Sequence, residues 1–177
     1  MNNGNGCVFE GGIAITSWYS TGNNLTIMKN PIENSNRNGV LTGAGNDVHI
    51  IGNTIMNSGW TAIEIDDTNG VTIAGNSLAG SYLGATTNPD FPNGIMVFGT
   101  PALSNPPYPG FVINVTITHN TITASSPTPG YPSFSIGIFL IGYQYPINAV
   151  VTPSNEITGL ENSNNSIVTL FSVTVTP

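Results

Sequence analysis

Asp47-Val48-His49-Ile50-Ile51-Gly52-Asn53-Thr54-Ile55 decides the reading of this chain. Aliphatic Val48 and Ile50 are separated by one residue, and Ile55 follows just past an Asn. Side chains two apart share a face on a strand, so this spacing predicts a strand with one side turned inward. Segments 24–32, 70–78, 114–122 and 149–157 repeat the pattern, x-Φ-x-Φ-x-x-Asn-x-Φ with Φ aliphatic, and in this alignment only Thr152 breaks a Φ column. The shared Asn stands at 30, 53, 76, 120 and 155, giving intervals of 23, 23, 44 and 35. A period that holds and then lengthens by insertion marks a solenoid.

A second strand follows each Asn segment. It reads Gly39-Val40-Leu41-Thr42, Ala62-Ile63-Glu64-Ile65, Gly94-Ile95-Met96-Val97, Gly137-Ile138-Phe139-Leu140 and Ser166-Ile167-Val168-Thr169-Leu170, with Gly12-Ile13-Ala14-Ile15 as the same strand of a truncated first turn. One turn cannot bury its own apolar face; stacking turns at about 4.8 Å makes the core continuous. The Asn column is expected at a sharp corner, with Asn itself in the left-handed conformation and its amide bonded to the Asn of the next turn.

The Φ-x-Φ-x-x-Asn-x-Φ motif and the Gly-Φ-x-Φ second strand resemble the right-handed parallel β-helix repeat family of pectate-lyase-like architecture, over residues 11–170. The resemblance implies an all-β solenoid of about six coils with loop insertions on one side. It is read as a single domain over 1–177, or as an excerpt of a longer chain. Proteins of this architecture include polysaccharide lyases, glycoside hydrolases, uronan epimerases, tailspikes, adhesins and repeats without activity.

Composition removes several functions. Two Lys and Arg stand against nine Asp and Glu, for a net charge of −7. Nucleic acid is excluded as a partner, because almost nothing is present to neutralise phosphate. Membrane insertion is excluded too, since no apolar run approaches the length of a spanning helix. Cys7 is the single cysteine and forms no internal disulfide. No signal peptide is visible near Met1. A surface made of Asn, Ser, Thr and Gly suits an extracellular or cell-surface protein.

The insertions are Pro- and Gly-rich: 81–93, 101–111 and 125–134, with Tyr143-Gln144-Tyr145-Pro146 after the fourth second strand. All are expected outside regular strands. If Ile63 and Ile65 point inward, the outward columns of the second-strand sheet are Leu41, Glu64, Met96, Phe139 and Gly43, Asp66, Phe98, Ile141. Unless the insertions and Phe111 and Phe134 cover it, the apolar part is exposed. The expected ligand site is then a groove with Met96, Phe98 and Phe139 as floor, Tyr108, Tyr131 and Tyr143 as walls, and acids at one end.

Glu64, Asp66 and Asp67 are the candidate catalytic residues, since paired carboxylates can act as acid and base on a glycosidic bond. Asp66 and Asp67 are also the candidate ligands for calcium, the one cofactor such oxygens suggest. The resemblance implies a basic residue beside the metal in the lyase branch, yet only Lys29 and Arg37 exist and Lys29 falls at the Asn corner. In the hydrolase branch it implies carboxylates on neighbouring coils, where this chain has Gly43 and Phe98. Binding is therefore weighed above catalysis; were the chain an enzyme, it would be a polysaccharide lyase or glycoside hydrolase. Arg37 has a structural role in the expected register, in a column with Glu10 and Trp60. An ice-binding column of Thr is interrupted: Thr26, His49, Thr72, Thr116, Val151.

The sequence thus points to a secreted or cell-surface β-helix that binds polysaccharide, as a module of a carbohydrate-active protein. The alternative is a structural protein, a fibre, adhesin or filament subunit, whose partner is another copy of itself.

Overall fold

The computed structural model of the protein describes residues 11–16, 22–35, 37–43, 45–81, 93–99, 112–125, 134–160 and 162–177. After β1 (Gly11–Thr16) the chain winds through turns of three strands. The first turn is β2 (Gly22–Met28), β3 (Pro31–Glu33) and β4 (Asn38–Gly43); the second is β5 (Gly45–Ile51), β6 (Thr54–Ser58) and β7 (Ile63–Asp66). The third is β8 (Asn69–Ala74), β9 (Ser77–Ser81) and β10 (Asn93–Phe98). Then come β11 (Ile113–Thr118), β12 (Thr121–Thr123), the long β13 (Ile136–Val151), β14 (Glu156–Thr158) and β15 (Ile167–Thr176). Every pairing between them is parallel.

Three stacks result. Sheet A holds the Asn-segment strands β2, β5, β8, β11 and the second half of β13; sheet C holds β1, β4, β7, β10 and the first half of β13. Because β13 bends from one stack to the other, A and C form one continuous sheet. Sheet B, β3-β6-β9-β12-β14, closes the third side. The sequence showed its residues only as the lone Φ after each Asn; strands of three to five residues are too short to display a period. The chain is a parallel β-helix, as the repeat predicts.

Inside, like stacks on like. Ile27, Ile50, Ile73 and Ile117 form one column of sheet A, and Ile32, Ile55, Leu78 and Ile122 one of sheet B, all buried. The Gly of the second-strand motif makes this fit: a Cβ on Gly94 would stand 2.6 Å from Cγ2 of Ile122 and 2.7 Å from the Gly137 carbonyl oxygen.

The Asn ladder exists, with more bonds than the sequence implied. Each Nδ2 donates to the Oδ1 of the next turn: Asn30 to Asn53 at 3.0 Å, Asn53 to Asn76 at 3.0 Å, Asn76 to Asn120 at 2.9 Å and Asn120 to Asn155 at 3.0 Å. The same Oδ1 atoms accept the backbone N–H of the Asn before them. From Asn53 onward, Nδ2 also reaches a carbonyl of the preceding turn, such as Ile27 or Ile50.

Three expectations are corrected. The left-handed residue of the corner is the one before the Asn: Lys29, Gly52, Gly75 and His119, with φ of 55°, 63°, 63° and 55°. The Asn is thereby free to spend its side chain on the ladder. In the fifth repeat Ala149 and Val151, not Val150 and Thr152, take the inward columns, paired with Val115 and Ile117. An extra residue is absorbed in a turn at Pro153 and Ser154, closed by Asn155 N–H on the Thr152 carbonyl. The member of the outward Thr column is therefore Val150, not Val151. Finally, Tyr143-Gln144-Tyr145-Pro146 is not a loop but lies within β13. Pairing with β15 jumps there from Gly142–Phe171 to Ile147–Val173, a bulge that holds the extra residues. Gln144 and Tyr145 donate backbone bonds to the Gly99 carbonyl, and Pro146 needs no donor partner. The bulge turns Tyr145 into the core and leaves Tyr143 59% exposed.

Candidate functional site

The outer face of sheet C carries the residues that could act on a ligand. Its register is the one expected. Leu41, Glu64, Met96 and Phe139 stand in one column, and Gly43, Asp66, Phe98 and Ile141 in the next. Its exposure is not. Met96, Phe139 and Ile141 are buried as a second apolar cluster, against which Phe98, Ile136 and Val168 pack. Met96 and Phe139 are thus packing residues here, not an open floor. Phe134 does not cover them; it is buried in the central core. Tyr108 and Tyr131, the expected walls, and Phe111 lie outside the described residues. Tyr143 is exposed but makes an edge-to-face contact with Phe171, centroids 5.2 Å apart.

The second column stays partly open. Gly43, Asp66 and Phe98 are half-buried neighbours on three successive strands. Asp66 thus has a residue without a side chain, Gly43, on one side and an aromatic ring, Phe98, on the other. Behind Asp66 on the same face, two residues or about 7 Å along the strand, lies Glu64, only 8% exposed.

Burial dominates the electrostatics. It pushes the Glu64 carboxyl up to about 7, against the opposing pull of the Arg37 charge and a hydrogen bond with Asn38. Asp66 is held well above the usual carboxylate range by burial first, then by the charges of Glu64 and Asp67. Asp67, at the strand end with φ 45°, is buried, and its charge joins burial in raising the Tyr145 phenol. Arg37 lies 3.9 Å over the Trp60 ring, as its column predicted; Glu10 lies outside the described residues.

Sheet A offers a second surface. An open groove of about 400 Å³ crosses it, lined by Thr72, Asn114, Thr116, Asn148 and Thr174 among others. Its amides bond one another: Asn114 Nδ2 donates to Asn69 at 2.8 Å and Asn148 Nδ2 to Asn114 at 3.3 Å. This further Asn column is out of step in the repeat, since Asn69 stands two residues before Val71 and Asn114 one before Val115, its register partner; a further amide contact joins Asn57 and Asn34 at 3.3 Å.

Metal donors do not converge. Among the described residues no three of His, Cys, Asp and Glu form a group able to hold a metal ion, and Asp66 and Asp67 are no exception. His49 pairs with Asp47 at 3.1 Å on sheet A. His119, two turns away, occupies a left-handed corner with Nδ1 2.7 Å from the Thr118 hydroxyl.

A family model described as "Periplasmic copper-binding protein (NosD)" matches residues 1–95. No curated protein and no solved structure matches the chain. Copper favours imidazole, thiolate and thioether donors. Here Met28 ends a strand of sheet A, Met56 lies on sheet B and Met96 on sheet C, and His49 and His119 stand two turns apart. The described residues therefore do not fit a copper centre. What the match does share with this chain is the repeat: it covers 95 of 177 residues and includes the first three Asn segments. On that coverage the chain belongs to the NosD family of β-helix proteins.

Proposed function

We propose that this protein is an extracytoplasmic β-helix module that binds a glycan at the open end of sheet C, around Asp66 and Phe98. The periplasmic description of the family supports the compartment. No helix among the described residues is long and apolar enough to cross a membrane. The pectate-lyase-like resemblance supports the ligand class by analogy. The observation that carries the reading is the register pair Asp66–Phe98, half-buried beside Gly43 on a face otherwise closed. A sugar ring stacks its C–H face on an aromatic ring while a carboxylate accepts from its hydroxyls. Binding is favoured over cleavage because Glu64, the second carboxyl a hydrolase would need, lies buried behind Asp66.

A glycan array followed by titration tests this. Phe98→Ala is expected to weaken binding about tenfold or more, the loss of one stacking contact of about 1.4 kcal/mol. Unchanged affinity in that variant would move the site elsewhere. Product release from the glycan, abolished in Asp66→Asn with binding retained, would make the protein an enzyme.

A second reading, assembly, rests on β15. Ile167, Leu170, Phe171 and Val175 are exposed along it, a surface that a further parallel strand from any chain would cover. Concentration-dependent growth in light scattering supports assembly; a constant mass opposes it.

A further inference from the structure

The groove on sheet A lies between two ridges of outward side chains that run along the solenoid axis. Thr72, Thr116, Val150 and Thr176 make one ridge, in register on β8, β11, β13 and β15. Asn114, Asn148 and Thr174 make the other, two residues or about 7 Å away along each strand. Between the ridges Val71, Val115 and Ala149 point inward, so the floor is backbone already spent on sheet pairing. On β8 the position beside Asn114 is Gly70, which adds no side chain to its ridge. One strand beyond Gly70, Asp47 and His49 occupy the two ridge positions and pair with each other at 3.1 Å across the line of the groove. The amides are fixed in the free protein. Asn69 Oδ1 accepts from the Asn114 backbone at 3.1 Å and from its amide at 2.8 Å, and the Asn148 amide donates to Asn114. Among the described residues nothing donates to Oδ1 of Asn148.

We infer that this groove is a binding site for a linear neutral glycan lying along the solenoid axis, separate from the site on sheet C. Its volume of about 400 Å³ falls in the range of small-ligand sites. None of the lining residues is charged, so an ionised ligand would lose its water without meeting a counter-charge. The net charge of −7 also repels a polyuronate. The ridges offer what sugar hydroxyls need: amides and hydroxyls that both donate and accept. The methyl groups of Thr and Val150 face the C–H surface of a ring. The spacing selects the kind of chain. Side chains of one ridge recur at the strand spacing of about 4.8 Å, over three intervals or about 14 Å. A sugar unit of a linear glycan is of that length. An extended peptide residue advances by about 3.3 Å and falls out of step, and the floor has no free N–H or C=O to pair with it. A second copy of this face is concave too and would not fill the groove.

The test titrates linear hexamers of glucose, mannose, xylose and galactose calorimetrically, with uronate and glucosamine hexamers as charged controls. At least one neutral hexamer is expected to bind, about tenfold or more tighter than the charged ones. Thr116→Gln fills the middle of the groove with an uncharged side chain and should weaken that binding about tenfold or more. Asn148→Ala should weaken it about fivefold, the scale of one neutral hydrogen bond. Asn148 is exposed and Thr116 points outward, and melting curves check that both variants fold. Phe98→Ala sorts the two sites. A neutral glycan weakened by both groove variants and not by Phe98→Ala sits on sheet A and supports the inference. If every glycan that binds is weakened by Phe98→Ala alone, the groove is overturned and the sheet C reading stands. Binding of no glycan at all removes both. A charged hexamer that binds more tightly than every neutral one, and is lost in the groove variants, also overturns the inference.

Discussion

At the scale of the residue, asparagine does the most to hold this protein together. The Asn53 amide is buried and bonded on both sides: it accepts from the backbone and side chain of Asn30 and donates to Asn76 and to the Ile27 carbonyl. Asn53→Ala takes a partner from the Asn30 backbone N–H, from the Asn30 amide, which keeps only the Met28 carbonyl, and from the Ile27 carbonyl. We expect a loss of about 2–4 kcal/mol, or roughly 5–15 °C in Tm, with glycan binding at Asp66 unchanged. Asn30→Ala, at the first rung, should cost about half as much, because fewer of its groups are enclosed. Thermal melts of the two variants check the ranking; equal melting would contradict it. The corner also separates two roles. Conformational freedom falls to the residue before the Asn, which is Gly in two turns and Lys29 or His119 in others. Hydrogen bonding falls to the Asn.

At the scale of the element, close approach governs the entry into sheet C. Gly12, Gly39, Gly94 and Gly137 each face the isoleucine of sheet B in the turn that follows, respectively Ile32, Ile55, Ile122 and Ile157. Gly94→Ala is expected to destabilise by about 1–3 kcal/mol through overpacking. Adding Ile122→Ala should recover less than all of it, since the Gly137 carbonyl also lies in the way of the new Cβ. Urea denaturation of the single and double variants measures this coupling; strictly additive losses would show that the two sites do not touch. The bulge in β13 is the contrasting case, in which a strand takes up extra residues without leaving the sheet.

At the scale of the whole molecule, the chain places its scarce charge against its own stability. Glu64 and Asp66 have folded-state pKa values above their unfolded ones. Raised carboxyls mean that the folded state binds more protons than the unfolded state. Their contribution is complete below the unfolded value of 4.5 and is lost as pH rises through about 7 for Glu64. The melting temperature should therefore fall between pH 5 and pH 8, opposite to the usual acid denaturation, as an order-of-magnitude expectation by about 5 °C or more. Glu64→Gln should flatten the profile and raise the melting temperature at pH 8. A wild-type profile that rises with pH would contradict this, as would an unchanged one in the variant.

The repeat made the solenoid legible without any structure. Alternation named the strands, the 23-residue interval set the stack, and the outward columns Leu41–Glu64–Met96–Phe139 and Gly43–Asp66–Phe98–Ile141 followed from counting. Such features depend on local period and on identical neighbours, which a sequence contains. Sheet B, the shift at Ala149 and Val151 and the strand through Tyr143 to Pro146 were not legible, because short strands and bulges leave no period to read. The candidate site was legible in its members and not in its state. That Met96 and Phe139 are closed off while Asp66 and Phe98 stay half open depends on what packs over the sheet. Whether Glu64 carries a charge depends on how far water is excluded from it. Both are set by contacts between distant parts of the chain, so only the tertiary structure decides them.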